Sequence, residues 1–126
     1  MDELLAAAFA PIARDLRAAG LDGELVCDGS AHPDGYPRAD VVVPGVKLGQ
    51  VLVDPQQSTA WQVQGLAAYV QKLVQEHMRT FGGSAVEWPP CLPSHVHPMA
   101  AGVSTGEPTW YCPRDPAIVV RIGSHP

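Results

Sequence analysis

The chain predicts an α+β fold. Three observations lead there. Two stretches with apolar residues at i, i+3 and i+4 spacing bracket a region cut by Gly and Pro turns and rich in β-branched residues. Many of the thirteen prolines fall after residue 88, where helix packing cannot be the main source of order. Within that tail, Cys91, His95, His97 and Cys112 stand at metal-ligand spacings. The expected architecture is a three-stranded antiparallel meander with two helices on one face, in α-β-β-β-α order, plus a zinc-ribbon-like β-hairpin. Residues 1–83 form the expected α-β-β-β-α core, and 84–126 a Pro-rich zinc-binding β tail packed on it as one compact domain.

Residues 2–19 read as the first helix, with Leu4, Leu5, Ala8, Phe9, Ile12, Leu16 and Ala19 on its apolar stripe. Asp2 and Glu3 suit its positive end, and Gly20 is placed to stop it. Pro11 is expected to kink the helix or to set residues 2–9 apart. Three strand candidates follow: Glu24–Cys27, Ala39–Val43 and Leu48–Val53. Cys27 in this pattern reads as a small buried hydrophobe, and His32 as an exposed turn residue. The second helix is announced by Asp54 as N-cap, Pro55 and Gln57, with Thr59 and Gln62 as a competing start. Its stripe is Leu66, Tyr69, Val70, Leu73, His77, Met78 and Phe81, and Gly82-Gly83 ends it. In the tail, Met99–Val103 and Thr109–Cys112 predict a hairpin and Ile118–Ile122 a further strand, while His125 reads as a disordered terminal residue.

Composition narrows the function. The 126 residues are 46% hydrophobic, a globular proportion for one domain. Net charge is −5, with −4 over residues 1–82 and −1 over residues 83–126. No segment clusters the Lys and Arg that a phosphate backbone requires, which argues against a nucleic-acid partner. A double-stranded-RNA-binding domain shares the α-β-β-β-α order, but the second helix here opens without Lys or Arg. The acidic start lacks a basic n-region, and no apolar run approaches a membrane span. A cytoplasmic location is expected, where Cys and His together favour metal over a Cys91–Cys112 disulfide.

Three residues separate Cys91 from His95, one separates His95 from His97, and fourteen lie between His97 and Cys112. In extended backbone, i and i+2 face the same side, so both imidazoles reach one ion. Pro98 biases His97 toward that conformation. Trp88 and Trp110 precede the two ligand clusters and supply burial. Asp115 is an alternative fourth ligand, or a partner that orients a histidine. His77 reads as a core histidine before it reads as a further donor. Phosphate-binding glycine loops, a G-x-S-x-G elbow and HExxH are all absent from the chain.

The tail's W-P-P-C, H-x-H-P and W-x-C-P motifs resemble those of small uncharacterised proteins from high-GC actinobacteria. The likeness spans residues 88–115 and departs at Cys91-Leu92-Pro93, where those proteins often have Cys-Pro. It implies a C-terminal zinc-binding unit.

The expected function is an interaction or adaptor protein with a structural zinc, engaging a protein partner or a second copy of itself. One alternative is a zinc hydrolase with an open fourth metal position and Asp115 or Glu87 as general base. Another is a nucleic-acid-binding zinc protein using Arg114 and Arg121. Four protein ligands favour the first, because a closed shell leaves water no position.

Overall fold

The computed structural model describes residues 2–27, 33–81, 87–91, 95 and 97–126, apart from the side chains of Thr80 and Phe81. The expectations for His32, for the turn from Asp28, for the Phe81 side chain and for the Gly82-Gly83 stop lie outside those residues.

Helix α1 runs over Glu3–Ala18. Asp2 caps it, its carboxylate accepting the Leu5 N–H at 3.1 Å. At the other end Leu21 N–H reaches the Leu16 carbonyl at 2.9 Å and Gly20 N–H reaches Arg17 at 3.0 Å. That pair of bonds is a Schellman stop, and the φ of +84° at Gly20 makes glycine the natural residue there. Pro11 sits inside the helix without dividing it. Leu5, Ala8, Phe9, Ile12 and Leu16 are buried as the periodicity predicts, whereas Ala19 is exposed beyond the last turn.

Strands β1 (Glu24–Val26), β2 (Arg38–Val43) and β3 (Val46–Leu52) form an antiparallel sheet in sequential order. Pro44-Gly45 makes the β2–β3 turn, with φ of +80° at Gly45. Ala39, Val41 and Val43 alternate inward along β2. Cys27 corrects the sequence reading: it lies past the end of β1 and is exposed, because the strand stops one residue earlier than expected.

Helix α2 covers Thr59–Phe81, so it begins near the competing start, with Thr59 as its first residue and not as half of a capping box with Gln62. Asp54 instead closes a separate turn, accepting from Gln56 N–H at 2.9 Å through its side chain and from Gln57 N–H at 3.2 Å through its carbonyl. The Gln62 amide ties that turn to the helix by donating to the carbonyls of Asp54 and Gln57, at 3.1 and 2.9 Å. The buried stripe is Val63, Leu66, Ala67, Val70 and Val74, with Leu73, His77 and Met78 half-buried. Tyr69 does not belong to it and is 50% exposed. The apolar face is turned about one residue from the expected phase, since small Ala67 and Val74 pack where the larger Tyr69 was expected. Leu73 presses on β3 so closely that a Cβ on Gly49 would meet its Cδ2 at 2.7 Å.

The tail forms the expected hairpin, and the further strand expected over Ile118–Ile122 pairs with it. Strands β4 (Ala100–Ser104), β5 (Glu107–Tyr111) and β6 (Val119–Arg121) form a second antiparallel sheet, with Trp110 opposite both Ala101 and Val120. Thr105 and Gly106, both at positive φ, make a two-residue turn suited to the twist of paired strands. One continuous buried cluster joins both helices and the first sheet to Trp88, Cys91, Met99, Trp110, Cys112 and Ile122. The two thiols are therefore part of the main core.

Candidate metal centre

The four residues expected from spacing meet. One donor atom from each of Cys91, His95, His97 and Cys112 lies within 4.8 Å of every other, so the group can hold a metal ion. The Sγ of Cys91 and that of Cys112 both lie 3.5 Å from His95 Nδ1. Cys112 Sγ is 3.6 Å from His97 Nε2. Neither thiol forms a disulfide.

Local backbone explains how a sequence without helix or long strand assembles this group. The segment before β4 folds back on itself as a narrow ladder. Met99 N–H donates to the Pro89 carbonyl at 2.9 Å, and Cys91 N–H donates to the His97 carbonyl at 3.3 Å. Between them Pro90 and Pro98 face each other as an antiparallel bridge. Cys112 leaves β5 toward the same point, its N–H fixed to the Ile118 carbonyl at 2.9 Å. Cys91 is 3% and Cys112 0% exposed. The Trp88 and Trp110 rings cover this side of the core edge to face, with centroids 5.5 Å apart.

The histidines differ. His97 is half-buried and its Nδ1 lies 2.9 Å from the Pro98 carbonyl, which requires the proton on Nδ1 and leaves the Nε2 lone pair toward Cys112. His95 is exposed and presents Nδ1 to both sulfurs.

Asp115 does not join the group. It is exposed, and its carboxylate accepts the Ala117 N–H at 3.2 Å within its own turn. His77, on α2, is likewise outside it. Arg121 is engaged with Glu107 at 3.1 Å on the surface, and Arg114 is exposed.

Spacing gave no sign of a second polar centre, built on Asp15. This carboxylate is 2% exposed on the inward face of α1. It accepts the Trp110 indole N–H at 2.8 Å, the Gly123 N–H at 2.7 Å and the His125 N–H at 3.0 Å. His125, expected to be disordered, is 7% exposed, and its Nε2 lies 2.8 Å from the Pro90 carbonyl. Residues 123–125 are thereby tied to both the first helix and the short ladder that carries Cys91 and His97. An acidic residue on an apolar helix stripe was the one signal available in the sequence.

Comparison with known proteins finds no family model, no curated relative and no solved structure that matches the chain. The actinobacterial resemblance gains no support from this, and the cluster itself is what fits a metal-binding unit. Among the described residues, no helix is long and apolar enough to cross a membrane.

Proposed function

We propose that the chain is a small zinc protein whose metal has a structural role, stapling the C-terminal sheet to the ladder that precedes it. The donor distances carry this reading. With Zn–S near 2.3 Å and Zn–N near 2.0–2.1 Å, a tetrahedral ion sets thiolate–imidazole edges of about 3.6 Å. The three close contacts are 3.5, 3.5 and 3.6 Å. Two thiolates with two imidazoles favour zinc over the hard cations, which prefer oxygen. Four protein donors fill the shell, which favours a structural over a hydrolytic role.

The protein works, on this reading, as an interaction module for a protein partner or a second copy, and resides in the reducing cytoplasm. Support for an exposed contact surface comes from Trp61 and Tyr69, each 50% exposed and two turns apart on α2. Native mass spectrometry of the purified chain should show one bound zinc, and chelation should lower the melting temperature. A metal-free chain with unchanged melting overturns the structural role. Light scattering coupled to size exclusion tests the second copy, with a monomer at every concentration as the contrary result.

A further inference from the structure

The four donors are not held alike. Cys91 and Cys112 are buried in the main core, and the N–H of each is bonded to a carbonyl six residues further along the chain. His97 is half-buried, with its second ring nitrogen committed to the Pro98 carbonyl. His95 is the exposed member. Its Nδ1 meets both sulfurs, but among the described residues nothing bonds its Nε2. A histidine whose outer nitrogen is anchored resists ring rotation away from a metal, and one without that anchor resists it less.

We propose that His95 is the exchangeable vertex of the metal centre, where a small anionic donor, a thiolate or an aminocarboxylate, enters and exchanges the metal with solution. This rests on the zinc reading above. In the exchange, the zinc–Nδ1 bond of His95 breaks as a zinc–sulfur or zinc–oxygen bond to the entering donor forms. No electrons are transferred, and an entering thiol gives its proton to solvent. The zinc bonds to His97, Cys91 and Cys112 then break in turn as further donor atoms or water take their places, while the core holds both thiols and the Pro98 carbonyl holds the His97 ring. A purely structural zinc enclosed on all sides would leave only when the tail opens. A zinc with one solvent-facing imidazole can instead pass to an incoming ligand while the protein remains folded.

The order of the exchange reaction tests this. Zinc-loaded full-length chain is mixed with excess nitrilotriacetate or, separately, L-cysteine with a chromogenic zinc indicator. Zinc loss is followed alongside near-ultraviolet circular dichroism. The rate should double when the donor concentration doubles, while the tryptophan signal persists through the early phase. A rate independent of donor concentration overturns the proposal, because it means that opening of the fold limits release. His95→Ala should keep one zinc by native mass spectrometry and release it faster than the parent, while Cys112→Ser should lose it. Equal loss in both variants also counts against His95 as the weak vertex. Absence of any zinc in the parent chain would instead remove the reading on which this one rests.

Discussion

The region from α1 through α2 and the region after it are stabilised in different ways. The first is ordered by apolar periodicity: Leu5, Phe9, Ile12 and Leu16 on one helix meet Val63, Leu66, Val70 and Val74 on the other over the inward side of the first sheet. The second has eight of the prolines and few large aliphatic side chains. Trp88, Met99, Trp110 and Ile122 join it to the shared core, and polar contacts fasten the rest. The Gln64 amide donates to the Ala101 carbonyl at 3.2 Å, Gln71 to those of Trp88 and Met99 at 3.3 and 2.5 Å, and Gln75 to that of Trp88 at 2.9 Å. Asp15 gathers three further donors. The contrast teaches why a ligand cluster belongs where it does. Each proline removes an N–H from the backbone, so beyond the β4–β5–β6 ladder the order of this region draws on side chains reaching in from elsewhere, and on a metal if the four donors hold one.

Four changes should break or sharpen this contrast. The largest effect is expected from Cys112→Ser, which removes a fully buried thiol and, on the zinc reading, a ligand. Metal should be lost and melting should fall steeply, with the far-ultraviolet helix signal of α1 and α2 declining later than the tryptophan signal of the tail; coincident loss would show that both regions depend on the metal. Next is Asp15→Ala. Leaving Trp110, Gly123 and His125 N–H groups without their acceptor should cost about 3–5 kcal/mol in urea unfolding, with Asp15→Asn milder because one carbonyl oxygen remains. Gln71→Ala takes the amide donor from the Met99 carbonyl and one of two from the Trp88 carbonyl, which keeps Gln75, and should cost about 1–2 kcal/mol, measured the same way. The smallest is Trp61→Ala: a half-exposed side chain on the outer face of α2 should shift stability by no more than about 0.5 kcal/mol, and should act on association if this face meets a partner. A loss comparable to that of Gln71→Ala would show that the residue supports the fold.

Legibility in the sequence followed the same divide. The elements of the first region could be read because their signals sit within one turn or one pleat. Asp2 before an apolar stripe, Gly20 after it and Pro44-Gly45 between β-branched runs each act on their immediate neighbours. The phase of α2 was less legible. Tyr69 and Val74 are both compatible with an apolar face, and which one is buried depends on what β3 and the tail present to it. In the tail, the clustering of Cys91, His95, His97 and Cys112 was readable because metal geometry restricts both residue type and spacing. Asp115 satisfied the spacing as well, but its carboxylate closes its own turn instead.

Sequence alone thus settled what is local: where the strands and helix ends fall, to within a few residues, and which cysteines and histidines could share an ion. Only the tertiary structure decided what is distant. Asp15 receives N–H groups from positions 95, 108 and 110 residues away in the chain. The same fold buries His125 against Pro90 and leaves His95, alone of the four donors, exposed. The physical reason is that a buried carboxylate or a half-covered ligand is defined by the groups brought to it across the core, and no local pattern in the chain encodes that company.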